Sequence, residues 1–147
     1  MDGIHNLAET FPSTLEIVVQ WGDMDAAGHV NNATYLRWFE TARIRYLADI
    51  GMDVVNPSQN IDFILGWQEC KYIFPVTFPD TVHIGIRVTA IREDRLVMQA
   101  RMFSGRHQRL VAIANGDMVT YDYRLLKKVL VSEDLISRVS AFEKTTF

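Results

Sequence analysis

The chain has a single cysteine, Cys70, among its 147 residues. No internal disulfide can form, which excludes a small secreted fold stapled by disulfides and fits a reducing compartment. Long apolar runs are also missing. No stretch approaches the roughly 18 residues a membrane helix needs, and Met1 to Glu9 lacks the basic and apolar regions of a signal peptide. These absences point to a cytoplasmic protein with no membrane partner. There is no excess of positive charge: the formal net charge is −3 and the isoelectric point about 5.8. The overall field therefore does not attract a polyanion, and no nucleic-acid partner is expected. Prolines are few, at positions 12, 57, 75 and 79, and suit turns and strand ends rather than a linker. Neither a glycine-rich phosphate loop nor a metal-binding His/Cys spacing occurs.

What remains is a 48% apolar chain without repeats, enough for one domain, 1–147, with its own core. Thr14 to Trp21 alternates Leu15, Ile17, Val19 and Trp21 against polar and smaller residues, the period of a strand with one buried face. From Ala33 to Ile50 the period changes. Tyr35, Trp38, Phe39, Ala42, Tyr46, Leu47 and Ile50 recur at helical spacing, while Arg37, Glu40, Arg43 and Arg45 fall largely outside that stripe. Asn31 or Asn32 can cap the helix start, and Gly51 suits the left-handed residue after its end. At 1.5 Å per residue the helix spans about 27 Å, enough to cross a sheet.

The remainder reads mostly as strand. Ile61 to Trp67 is apolar at 61, 63, 65 and 67, but Cys70, Tyr72 and Phe74 are out of phase, so a bulge is expected near Gln68–Glu69. Thr81 to Ile91, Arg95 to Phe103 and Arg109 to Tyr123 supply three further strands. Ser132 caps a final helix bearing Leu135, Ile136, Val139 and Phe142. One-faced alternation predicts an antiparallel sheet with a single covered side. The fold class is α+β, the sheet wrapped around one long helix.

Between the first strand and that helix, Asp23, Asp25, His29, Asn31 and Asn32 crowd into ten residues. A helix N-terminus offers free N–H groups and the positive end of the dipole, suited to a carbonyl oxygen that gains charge during attack. A carboxylate beside it can act as general base or as nucleophile. The same residues also suit a turn that caps the helix. Physics alone leaves both readings open.

The segment Trp21–Glu40 resembles the 4-hydroxybenzoyl-CoA thioesterase-like family of hotdog proteins. The likeness is to the branch with the motif Asp-x-Asp-x-x-x-His-Val-Asn-Asn-x-x-Tyr, present here as Asp23, Asp25, His29, Val30, Asn31, Asn32 and Tyr35. It extends through Phe39, Glu40, Ala42 and Arg43, then Lys71 to Pro75 with Asp80, and Ile113 to Tyr123. The resemblance implies a hotdog fold and hydrolysis of a fatty or aromatic acyl-CoA thioester. Asp25, the second Asp of the pair, takes the catalytic place, as general base or nucleophile. The region binding and polarising the carbonyl falls on Gly28, His29, Asn32, Ala33, Thr34 and Tyr35, with backbone N–H groups of Asn32 to Tyr35 as donors. No cofactor is implied, coenzyme A entering only as part of the substrate. A homodimer or homotetramer is implied, sheets joined edge to edge and pockets at the interface. The phosphates of the coenzyme call for surface cations, for which Lys71, Arg101 and Arg106 are the candidates.

Two departures restrict the mechanism. Plant acyl-carrier-protein enzymes of this type have an Asn where this chain has Ala27, and another branch has a His where this one has Asn32. A His-assisted mechanism at that position is therefore closed. His29 either orients Asp25 or tunes its pKa, or is a satisfied loop histidine. Asp23 reads as structural, Asn32 as the helix cap, Tyr35 as core and Glu40 as a solvated charge. Cys70 reads as buried packing. Two other functions compete with hydrolysis. A hotdog dehydratase or hydratase would show Asp-x4-His with an intervening Asn, against Asp25-x3-His29 here. The other is a non-catalytic acyl-thioester binder that uses the pocket as a sensor; an attached DNA-binding segment would support it, and none is visible.

Overall fold

The computed structural model describes residues 3–52 and 61–147, and the side chain of Ile61 is not among the described parts. The expectations on Met1, Pro57 and the inward face of Ile61 therefore lie outside the described residues. In chain order come α1 (Leu7–Thr10), β1 (Ser13–Val18), α2 (Asn32–Asp49), β2 (Ile61–Tyr72), β3 (Thr81–Arg92), β4 (Arg95–Ser104), β5 (Arg109–Asp122), β6 (Lys127–Lys128) and α3 (Glu133–Glu143). The strands form one antiparallel sheet in the order β1-β3-β4-β5-β2, with β6 on the end of β5.

This is the expected sheet wrapped around one long helix. Phe39, Ala42, Tyr46 and Leu47 of α2 are fully enclosed against Ile84, Ile86, Met98, Met102 and Ala114. The whole predicted stripe, from Tyr35 to Ile50, is buried. Gly116 lets the helix sit close, because a Cβ there would lie 3.0 Å from Phe39 Cε2 and 3.1 Å from the Trp67 carbonyl. α3 starts at its Ser132 cap, whose Oγ accepts the Leu135 N–H at 3.1 Å, and buries Leu135 and Val139 in the same core.

Several expectations are corrected. The first strand ends at Val18 rather than Trp21, which is 72% exposed. Gln20 donates its N–H to Asp23 Oδ2 at 2.8 Å, which winds Trp21–Asp23 into a 3-10 turn and swings Trp21 out. The bulge in β2 falls between Leu65 and Trp67, at Gly66, where a Cβ would meet Val119 Cγ2 at 2.7 Å. The sheet is not bare on its other side, since Leu7 and Phe11 pack with Phe103 there, and Phe11 lies where a Cβ on Gly85 would be. Arg43 is buried, not outside the stripe. Its guanidinium lies 4.5 Å from the Phe39 ring centroid, and burial lowers its pKa.

Candidate active site

The loop before α2 is built from backbone bonds that its residue types favour. Asp25 N–H donates to the His29 carbonyl at 2.9 Å, and Gly28 N–H to the Asp25 carbonyl at 3.0 Å. The turn they close needs Gly28 at φ +79, a conformation glycine reaches without Cβ strain. Asp25 Oδ1 accepts the Ala27 N–H at 2.9 Å, the local bond that makes Asp a turn residue. That carboxylate is exposed.

The loop is tied down on both sides. Asn31 N–H donates to the Asp23 carbonyl at 2.8 Å, and Val30 N–H to the Val76 carbonyl at 2.8 Å. Asp23 is thus structural through both carboxylate and carbonyl. The cap of α2 is Asn31, not Asn32: its Oδ1 accepts the Ala33 N–H at 2.9 Å. Its carbonyl accepts the Thr34 N–H at 2.9 Å. Two of the N–H groups expected to polarise a carbonyl are therefore engaged by Asn31 in this conformation. Asn32 instead opens the helix, and its carbonyl accepts Tyr72 Oη–H at 2.8 Å.

Beside this helix start lies a cleft of about 280 Å³ lined by His29, Val30, Asn32, Tyr35 and residues 72–75. The structure thus brings His29, Asn32 and Tyr35 together on one surface. Asp25, Gly28, Ala33 and Thr34 are not in its lining; they form the adjoining turn and first helical turn. Tyr35 is core, as its place in the stripe predicts, and also a wall of the cleft. Its Oη accepts the Val76 N–H at 3.3 Å, and burial raises its pKa. Tyr72 meets the Tyr35 ring edge-on, centroids 5.1 Å apart; partial burial, with Cys70 beside it, pushes its hydroxyl up to about 12. Cys70 packs on the core, and burial raises its thiol pKa, so the thiolate that nucleophilic catalysis needs is disfavoured.

Sequence reasoning missed Tyr72 and Phe74 as cleft residues. The signal was their place in the out-of-phase set after the bulge, which turns them toward the helix start. Glu40 is exposed, as expected. Among the described residues no three His, Cys, Asp or Glu side chains are grouped to hold a metal ion, and no helix is long and apolar enough to cross a membrane.

Residues 19–139 match the family model of the thioesterase-like superfamily. A thioesterase of Thermus thermophilus, solved with coenzyme A and zinc, is similar over 95% of this chain and 99% of its own, at 27% identity and a TM-score of 0.84. The PA5185 protein of Pseudomonas aeruginosa strain PAO1 is similar over 91% of this chain and 93% of its own, at 27% identity and a TM-score of 0.78. The protein YsmA of Bacillus subtilis (strain 168) is 24% identical over 83 residues, 56% of this chain. That match spans about half of the curated relative, 55% of its length.

Proposed function

Because the chain belongs to the thioesterase-like superfamily and has its hotdog fold, we propose that it hydrolyses an acyl-CoA thioester, fatty or aromatic, to a carboxylic acid and free coenzyme A. The observation that carries this reading is the Asp25 turn, bonded backbone to backbone with His29 and running directly into the capped start of α2 beside an apolar-walled cleft. The Thermus thermophilus relative solved with coenzyme A supports coenzyme A as the thiol carrier.

In this reading the thioester carbonyl lies at the start of α2, where the helix dipole and the Asn32 N–H, which the Asn31 cap does not engage, stabilise the developing oxyanion. Asp25 Oδ1 stays with the Ala27 N–H, and Oδ2 takes the proton of the attacking water. The water oxygen bonds to the carbonyl carbon, the C–S bond breaks, and the proton passes to the departing sulfur. Attack by Asp25 itself gives the same products through an anhydride that water then opens. The active form is an edge-to-edge pair or a tetramer of this chain, and the exposed apolar residues of β2 favour that assembly.

Release of free thiol from a panel of acyl-CoAs by the wild type and Asp25→Asn tests the reading. The variant is expected to lose at least about a hundredfold in kcat. Undiminished hydrolysis by the variant sinks the role of Asp25. A second reading, a non-catalytic acyl-thioester binder, draws on the absence of Asp25 from the cleft lining. It predicts no turnover of any thioester by the wild type.

A further inference from the structure

The turn between β4 and β5 carries Arg106 and His107, and β5 opens on Arg109, in a protein whose net charge is −3. Arg109 lies with its guanidinium 4.2 Å from the ring centroid of Phe74. The His107 ring meets the same phenyl at 5.1 Å, tilted 61°. Phe74 is also a wall of the cleft beside the α2 start. The guanidinium and the imidazole are therefore fastened to the rim of the candidate active site through one aromatic side chain.

The turn itself is held from below by a buried carboxylate. Asp80, only 9% exposed, accepts the Arg106 N–H at 2.9 Å and the Thr81 N–H at 2.7 Å on Oδ1. Ser104 Oγ–H donates to its Oδ2, and the His107 N–H donates to that same Ser104 Oγ at 3.0 Å. The carboxylate is spent on backbone and hydroxyl groups. Among the described residues neither the Arg106 nor the Arg109 guanidinium has a carboxylate partner. One arginine held against the cleft wall, Arg109, and a second on the adjoining turn, Arg106, which faces a neighbouring depression beside Phe78 and Pro79, together match an extended polyanionic group. The other cations that the sequence offered do not join them. Lys71 alternates away from Tyr72 on β2, and Arg101 alternates away from the core-facing Ala100 and Met102 on β4.

We propose that Arg106 and Arg109, with His107 as a side wall, bind the phosphates of the coenzyme A carrier while its acyl end occupies the cleft. The inference rests on the acyl-CoA reading above and sharpens it. Two guanidinium groups suit the several phosphates of coenzyme A better than the single phosphodiester of a carrier protein.

The test compares an acyl-CoA with the acyl-pantetheine of the same acyl group, which has no phosphate. Wild type, the double variant Arg106→Ala/Arg109→Ala, and Arg92→Ala as a remote charge control are measured. The double variant is expected to raise KM for the acyl-CoA at least about tenfold, with kcat within twofold and acyl-pantetheine kinetics unchanged. Arg92→Ala should match the wild type. An unchanged KM for the acyl-CoA overturns the clamp, as does an equal loss on acyl-pantetheine or a larger loss on an acyl-carrier-protein thioester. If the wild type hydrolyses none of these, catalysis has failed rather than the clamp. Calorimetric binding of coenzyme A then decides, and equal affinity in the double variant overturns the proposal.

Discussion

Tyr46 is completely shielded from solvent, and its hydroxyl donates to Glu143 Oε1 at 2.7 Å, an oxygen that also accepts the Val88 N–H at 2.7 Å. Burial first, then the bond to Glu143 and its charge, raises this phenol far above its ordinary 10.0. The unfolded chain loses that proton as pH passes about 10 while the folded chain keeps it. Stability from this group is thus fully present below pH 10 and falls by about 1.4 kcal/mol per pH unit above it. Tyr46→Phe should cost about 1 kcal/mol at neutral pH and reduce the alkaline slope by one proton. Tyr35 and Cys70, shifted upward too, keep the slope from vanishing. Denaturant midpoints between pH 8 and 11 read the difference, and parallel slopes for the two proteins would remove Tyr46 from the account. The cap gives a second residue-scale test. Asn31→Ala should cost about 1 kcal/mol of stability in thermal unfolding and Asn32→Ala far less; equal losses would contradict the assignment. Two adjacent Asn residues are equivalent in sequence. What distinguishes them is the Asp23 carbonyl, which takes the Asn31 N–H and leaves its side chain free to fold back on Ala33. Burial of Arg43 was equally illegible, because its partner surface is a ring one turn earlier and Gln68 on another element.

At the scale of elements, hydrophobic period was enough to find α2, α3 and all five long strands. It located their ends less well, since termini are decided by single turn bonds such as Gln20 N–H to Asp23. Bulges follow close approaches between strands rather than local pattern, and so Gly66 was not recognised as one. The helix-to-sheet contact at Gly116 is of the same kind. Its neighbours are a phenyl edge and a backbone carbonyl, and only the ring has room to yield. Gly116→Ala should therefore destabilise by about 1–3 kcal/mol through overpacking. A denaturation midpoint equal to the wild type would show that α2 can shift at no cost. Because the first turn of α2 forms the site, the same variant should also disturb whatever the cleft binds.

For the whole molecule, the motif residues Asp23 to Tyr35 were legible as one loop feeding a helix. The cleft was not, because Tyr72 reaches it from the end of a strand whose phase changes at the bulge, and Phe74 from the segment just beyond. The arrangement of edges also needed the structure. β2 is a 12-residue edge strand paired on one side by β5, and it exposes Ile64, Leu65, Trp67 and Tyr72 by 41%, 37%, 49% and 47%. A long edge with free backbone groups and large apolar side chains on both faces is unstable against pairing with another strand. The opposite edge, β1, has only six residues. Self-association through β2 would cover the exposed apolar surface and bring a second copy close to Tyr72, hence to the cleft. Leu65→Lys/Trp67→Lys places two charges on that edge without touching the enclosed core. Light scattering is expected to show the wild type as a dimer or larger and the variant as a monomer with unchanged circular dichroism. A wild type that stays monomeric at tens of micromolar would leave β2 a solvated edge, and the site would then have to work with the residues of one chain alone.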